Sequence, residues 1–355
     1  MYTFFSIFKL KNQKNIVNYL RNFDFFKERT QMKHILVAGG AGYIGSACTE
    51  YLLNNGYAVT VYDSLVTGHL DAVDPRAKFI LGDLADRDKI IQVAKDGNFY
   101  GIMHFAAASL VGESMTNPSK YFRNNIANGI NLADAAVAGN IKNFVFSSTA
   151  ATFGQPEKCP IGENDPQKPI NPYGESKLCF EKILNWYSQI HGIKYAALRY
   201  FNAAGATENF GEAHEPETHL IPIILQVAAG EREKLLVYGD DYNTPDGSCV
   251  RDYIHILDLA QAHMLALDAP ESGHYNLGTG KGLSVFEIIK AAKKVSGKKI
   301  NFEIAPRRPG DPDTLIACSD RIKKLLGWKP QFENAEAIIE SAWKWKLNHK
   351  NGYLR

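Results

Sequence analysis

Tyr173 and Lys177 stand four residues apart in the run Tyr173-Gly174-Glu175-Ser176-Lys177. On a helix, two residues at that spacing share one face, one turn apart. A free phenol titrates at about 10, too high for a base at neutral pH. A neighbouring ammonium, or another fixed positive charge, favours the phenolate and lowers that value. The pair therefore has the makings of a proton-transfer device. The spacing alone recurs by chance in many helices, so its surroundings decide its meaning. Phe146-Ser147-Ser148-Thr149 ends a strand-like run upstream. The Thr149 hydroxyl is placed to share a proton with Tyr173 and a substrate oxygen.

A second cluster lies near the front. Gly39-Gly40-Ala41-Gly42-Tyr43-Ile44-Gly45 reads GxxGxxG, with a β-forming run before it and a helical pattern after it. Free N–H groups at a helix start, reinforced by the helix dipole, favour a pyrophosphate. Glycines Gly39, Gly42 and Gly45 permit a tight turn and close backbone approach, with Tyr43 and Ile44 between them. Asp63 ends the next strand-like run, where a carboxylate accepts hydrogen bonds from an adenosine ribose diol. It would repel a 2′-phosphate, so NAD is preferred over NADP. Gly82-Asp83-Leu84 ends the third run and brings Asp83 and Leu84 toward an adenine; the plainer reading of Asp83 is a loop cap. A nicotinamide cation is also a positive charge of the kind Tyr173 needs.

The elements that must hold these residues alternate. Runs 34–38, 57–62, 78–81, 101–105, 143–146 and 194–199 read as strands, and the last is expected to close the series. Runs 43–55, 86–94, 118–138 and 175–190 read as helices, the third as one long helix. Such alternation predicts an α/β fold, a doubly wound parallel sheet of Rossmann type. After about residue 203 the rhythm changes, and helices over 220–229, 256–267, 285–295, 321–326 and 335–347 stand among glycine- and proline-rich loops. The expected organisation is an NAD-binding domain over 32–203 and a smaller α/β substrate lobe over 204–355, with some exchange of chain between them.

Composition excludes other classes. The chain has 355 residues, 45% hydrophobic and 22% charged, with a net charge of +2, too apolar for disorder. The five cysteines are scattered and never fall at CxxC spacing, which argues against a disulfide framework or a zinc site. The histidines His191, His214, His219, His255 and His274 show no ligand spacing, so no metal is expected. His104 is expected to pack against the sheet. No apolar run is long enough to cross a membrane. Residues 1–31 carry Lys9, Lys11, Lys14, Arg21, Lys27 and Arg29 against Asp24 and Glu28, so the remainder is slightly acidic and carries no nucleic-acid footprint. Three readings of 1–31 stay open: a targeting extension, an amphipathic membrane or partner helix, or translated sequence upstream of a start at Met32. The last is preferred.

Taken in order, GGAGYIGS (39–46), HFAAASLVGES (104–114), NPYGESK (171–177), RYFNAAGA (199–206), DGSCVRDYIHILDLA (246–260), YNLGTG (275–280) and APRRPGD (305–311) carry a family likeness. From Met32 to about Tyr353 the chain resembles the extended short-chain dehydrogenase/reductase superfamily and, within it, the UDP-glucose 4-epimerase family. The resemblance implies an NAD-dependent isomerase of galactose metabolism that inverts C4 of a UDP-hexose through a transient 4-keto sugar. It implies Tyr173 as base and acid, Lys177 on the nicotinamide ribose, and Phe105, Asn124 and Tyr200 against NAD. It assigns Asn202, Arg251, Arg308, Asp311 and Leu315 to the UDP-sugar, together with His219, Leu220 and Tyr238, His219 preceding Leu220 at the uridine. An arginine fork suits a pyrophosphate, although surface salt bridging would equally employ Arg251 and Arg308. A cytoplasmic homodimer is also implied.

Two positions depart from the family's best-known pattern. Ser109 stands where some members have lysine. Leu315 stands at a sugar-pocket position that is tyrosine in some members, and leucine leaves more room, which extends the expectation to UDP-GlcNAc and UDP-GalNAc. Neighbouring activities fit less well. A 4,6-dehydratase carries an Asp-Glu pair after the hydroxyl residue, whereas Ala150-Ala151-Thr152 follows Thr149 here. A decarboxylase also wants a nearby acid and arginines for a uronate. Epimerases of UDP-pentoses or uronates remain as alternatives. A non-catalytic NAD-sensing protein commonly lacks the tyrosine or the lysine, and this chain keeps both.

Overall fold

β1 (His34–Ala38) runs through the middle of a buried parallel sheet and feeds the glycine turn. In the computed structural model, residues 32–308 and 310–353 are described, so the expected extension over 1–31 lies outside the described residues. The elements below all belong to the unit His34–Arg355.

The first stretch continues as α1 (Tyr43–Asn54), β2 (Ala58–Asp63), β3 (Lys78–Leu81), α2 (Arg87–Asp96) and β4 (Gly101–His104). Short helices α3 (Val111–Thr116) and α4 (Pro118–Tyr121) precede α5 (Asn128–Ala138). Then come β5 (Asn143–Thr149), α6 (Pro172–His191), β6 (Lys194–Tyr200) and β7 (Asn202–Ala204). The second stretch holds α7 (Leu220–Ala229), β8 (Leu235–Tyr238), β9 (Val250–His255), α8 (Ile256–Ala266), β10 (Gly273–Leu277) and β11 (Gly282–Ser284). It ends with α9 (Val285–Ser296), β12 (Phe302–Ala305), β13 (Thr314–Leu315), α10 (Asp320–Leu326) and α11 (Ala335–Asn348).

The main sheet has seven strands in the order β10-β6-β5-β4-β1-β2-β3, every pair parallel. Strand order reverses between β1 and β4, and in such sheets ligands bind at the carboxyl ends beside that switch. The register brings those ends level: Ala38 lies opposite Tyr62 and His104, His104 opposite Phe146, and Thr149 opposite Tyr200. Gly39, Phe105, Thr149 and Tyr200 thus border one crevice. Cores of Ile35, Val37, Leu52 and Leu198 on one face, and of Leu36, Ile102, Phe144 and Phe180 on the other, hold helices against both sides.

Two expectations are corrected. The sheet does not close at β6. β10, drawn from the second stretch, pairs beside it. Its sequence Gly-His-Tyr-Asn-Leu hides a buried strand because Asn276 is polar. Asn276 is nevertheless fully buried, its amide donating to the Ile161 carbonyl (2.9 Å) and its backbone N–H to the Glu163 carboxylate (2.9 Å). The run 118–138 is helical throughout, as expected, but it is not one uniform α-helix. A π-helical turn over Phe122–Ala127 separates α4 from α5. The extra residue in that turn lets Asn124 and Asn125 both reach the Ala108 N–H, at 2.9 and 2.8 Å.

Two smaller sheets form, mainly from the second stretch. β9 pairs in parallel with β7 and β13 and antiparallel with β11, while β8 pairs with β12. α9 starts with a Ser284–Glu287 capping box and stops at Gly297 in the left-handed region. β9 and β13 matter for the site, because their register sets Leu315 opposite Arg251.

Candidate active site

The glycine turn leaves room only for glycine at two places. Gly39 has φ +85°, and a Cβ there would overlap the Ala106 backbone; at Gly45 it would overlap the Gly39 carbonyl. α1 follows with Gly42 as its N-cap and no side-chain cap, so its first N–H groups face the crevice unclaimed by a capping side chain. A cradle that excludes side chains at a helix start fits a dinucleotide pyrophosphate. Asp63 is fixed beside it: one carboxylate oxygen accepts from the Ala41 N–H and the other from the Leu65 N–H, both at 2.9 Å. Each oxygen keeps a lone pair for a ribose hydroxyl. Asp83 is exposed and accepts from the Ala85 N–H at 2.8 Å, the loop-capping geometry, while its carbonyl accepts from the Tyr62 hydroxyl. Leu84 turns into the core. Phe105 packs on His263 (ring centroids 4.9 Å).

Tyr173 and Lys177 sit in the first turns of α6. Asn171 caps that helix by accepting from the Gly174 N–H (2.8 Å), and Pro172 occupies its first position. Thr149 ends β5 beside them. Lys177 is buried and donates to the Ser147 carbonyl at 2.8 Å; its Nζ stands 4.9 Å from the Phe146 ring centre and 5.9 Å from that of Tyr173. Burial presses the Lys177 ammonium down to about 7, partly opposed by Glu181 one turn further along α6. Tyr200 meets the Ser147 hydroxyl, so Ser147 is contacted through both its carbonyl and its side chain.

Tyr173 departs from the expectation. Burial raises its phenol above the ordinary value, and only the hydrogen-bonding influence of Thr149 lowers it. Lys177 donates to the Ser147 carbonyl and not to the phenol oxygen.

Glu181 escaped the sequence reading. Residues 173, 177 and 181 fall on one face of α6. The Glu181 carboxylate is buried and accepts from Arg199 Nε (2.9 Å), from its Nη2 (2.5 Å) and from the Ser148 hydroxyl (2.5 Å). The signal was present as Tyr-x3-Lys-x3-Glu, but a buried acid cannot be told from a solvated one by spacing. His104, as expected, is enclosed by Phe144, Phe146 and Phe180, and burial holds its ring neutral down to about 3.

On the substrate side Arg251 pairs with Asp311 and donates to the Val250 carbonyl (2.7 Å). Arg308 lies over the Tyr238 ring at 4.0 Å. Leu315, half-buried, neighbours Arg251 through the β9–β13 register. Asn202 starts β7, and Leu220 starts α7. His219, the residue before α7, turns its Nδ1 to Glu212 (2.8 Å) and Glu217 (3.0 Å). The structure brings Glu212, His214, Glu217 and His219 together, with their ligand atoms within 4.8 Å of one another. The signal was Glu-x-His-x-x-Glu-x-His, which a search for paired histidines or cysteines passes over.

A glycine-rich turn at the switch point of a parallel sheet, together with a half-buried tyrosine and a buried lysine on one helix face, defines a dinucleotide-dependent enzyme of Rossmann type. The sequence pattern of the NAD dependent epimerase/dehydratase family matches residues 35–278, and the chain belongs to that family. A UDP-glucose 4-epimerase of Streptococcus mutans is 54% identical over 327 residues, covering 90% of this chain and 98% of that protein. The structure of UDP-glucose 4-epimerase from Brucella ovis in complex with NAD is similar at 44% identity and TM-score 0.85, covering 88% of this chain and 97% of that one. That of Bifidobacterium longum UDP-glucose 4-epimerase in complex with NAD+ and UDP is similar at 37% identity and TM-score 0.85, covering 90% and 100%.

Proposed function

We propose that this chain is an NAD-dependent UDP-glucose 4-epimerase that interconverts UDP-galactose and UDP-glucose. The observation that carries the reading is Tyr173 beside Thr149 at the carboxyl end of the sheet that the glycine turn also borders, with Arg251 and Arg308 in the second stretch. Bound NAD supplies reversible hydride acceptance from C4 of the hexose, so that a transient 4-keto sugar can be reduced from its other face.

The residues of the chain do the rest. Gly39, Gly42, Tyr43, Ile44 and Gly45 hold the pyrophosphate of NAD, and Asp63 holds its adenosine ribose, with Asp83 and the backbone of Leu84 at the adenine. Phe105, Asn124, Lys177 and Tyr200 border the nicotinamide side. Tyr173 as phenolate takes the C4-hydroxyl proton and later returns it, and Thr149 orients both oxygens. Arg251 and Arg308 anchor the diphosphate, while Asp311, Asn202, His219, Leu220 and Tyr238 border the rest of the UDP-sugar. Firm anchoring of UDP lets the hexose turn without escaping, which is how remote binding energy serves the reaction. The NAD-binding part is read as 32–203 and the substrate part as 204–355, with β10 and α8 lent to the first.

Leu315 in place of an aromatic residue supports turnover of UDP-GlcNAc and UDP-GalNAc as well. A homodimer is supported by apolar side chains left on the surface of α6, with Trp186 61% and Ile190 68% exposed one turn apart. No helix among the described residues is long and apolar enough to cross a membrane, which agrees with a cytoplasmic enzyme. The deciding variant is Tyr173→Phe: loss of UDP-galactose turnover with UDP binding retained supports the reading, and a near-wild-type rate overturns it.

A further inference from the structure

We propose that Glu212, His214, Glu217 and His219 bind one divalent transition-metal ion of the zinc type, which fastens the loop 205–219 against the start of α1. The argument begins with geometry. His214 Nδ1 lies 3.1 Å from Glu212 Oε1 and 3.8 Å from Glu217 Oε2. His219 Nδ1 lies 2.8 Å from Glu212 Oε1 and 3.0 Å from Glu217 Oε1. Zinc binds imidazole nitrogen and carboxylate oxygen at about 2.0–2.2 Å, and a tetrahedron of that size has edges of roughly 3.3–3.6 Å. Three of the four separations are shorter than that edge and one is slightly longer, and one ligand atom from each residue lies within 4.8 Å of the others.

Electrostatics points the same way. The Glu212 and Glu217 side chains are only 9% and 6% exposed. Two carboxylates this close and this buried require positive charge between them. A divalent ion supplies it at a single centre, and two imidazoles with two carboxylates are a borderline donor set that suits zinc. A cavity of about 280 Å³ borders the cluster, lined among others by Gly205, Glu212, His214, Glu217 and Trp345, and gives an ion a way in.

Four protein ligands leave no open position, so the site is structural. Its reach is set by Tyr43, the residue after the glycine turn's Gly42. The Tyr43 hydroxyl donates to the Gly205 carbonyl at 2.7 Å, and its ring meets the His214 ring edge-on at 6.3 Å. An ion at the cluster therefore braces the helix start that receives the cofactor. The competing arrangement, two imidazolium rings paired with two carboxylates, needs no metal.

The test uses the full purified chain with its bound cofactor. It is loaded with Zn(II), freed of excess by dialysis, and assayed for metal by mass spectrometry, with Co(II) substitution as a second readout. The expected result is one ion per chain and the intense visible bands of four-coordinate Co(II). Chelation lowers the melting temperature, and Zn(II) restores it. The double variant His214→Ala/His219→Ala holds no metal. Substoichiometric zinc in the wild-type chain, or Co(II) without those bands, overturns the proposal, and so does full metal content in the double variant. If that variant does not fold, the wild-type zinc and cobalt measurements decide alone. Turnover plays no part, so failure here leaves the epimerase reading untouched.

Discussion

Around Gly39–Gly45 the crevice is built from backbone, whereas around Arg251 and Arg308 it is built from long side chains. On the cofactor side a Cβ at Gly39 or Gly45 has nowhere to go, and Asp63 is locked by two backbone N–H groups. On the substrate side Arg251 is paired with Asp311, and Arg308 lies exposed over Tyr238. A backbone cradle is pre-organised and has little conformational freedom left to lose on binding. Arginines must exchange partners when a diphosphate arrives. The contrast suits an enzyme that keeps its cofactor and turns over its substrate.

Substitutions can break that comparison, the largest effects coming where the two sides meet. Tyr173→Phe removes the proton shuttle and should cost at least about 10²–10⁴-fold in turnover, while the purified variant still carries NAD by its absorbance. Gly45→Val should abolish NAD retention, because the new side chain collides with the Gly39 carbonyl; cofactor content after gel filtration checks it. Arg308→Ala should leave NAD in place and raise KM for UDP-galactose by roughly ten- to a hundredfold, the worth of about 1.5–3 kcal/mol for a hydrogen bond to a charged group. Equal loss of NAD in both variants would erase the distinction between the two sides.

Lys177 gives a pH-dependent prediction. In the unfolded chain its ammonium titrates at about 10.4, whereas burial holds it down to about 7 in the folded one. Between those values the unfolded chain binds more protons, so this lysine's destabilising effect fades as pH rises. Lys177→Met should therefore be more stable than wild type at pH 7, with the gap closing toward pH 10, as denaturant melts at several pH values would record. The smallest expected effect is Leu315→Tyr, which should narrow the pocket and lower turnover of UDP-GalNAc relative to UDP-galactose by about fivefold, the equivalent of about 1 kcal/mol, the low end for a change of pocket size.

The same contrast explains what could be read from sequence. The β1–turn–α1 unit was legible because glycines and strand-forming residues act locally: the helix expected over 43–55 is observed over Tyr43–Asn54. Tyr173 and Lys177 were legible because their spacing fits one helix. β10 was missed because the buried Asn276 donates its backbone and side-chain N–H groups to residues more than a hundred positions away. The π-helical turn was missed because it serves Ala108, outside its own segment. The Glu181–Arg199 pair and the Glu212–His219 cluster depend on tertiary approach, which no single periodicity encodes.

The most direct test of the central claim is to incubate the purified chain with UDP-galactose and no added NAD, then separate the nucleotide sugars. The account predicts conversion to UDP-glucose toward a fixed equilibrium ratio reached from either sugar, sustained by cofactor that stays bound. No interconversion by a preparation shown to contain NAD would contradict it.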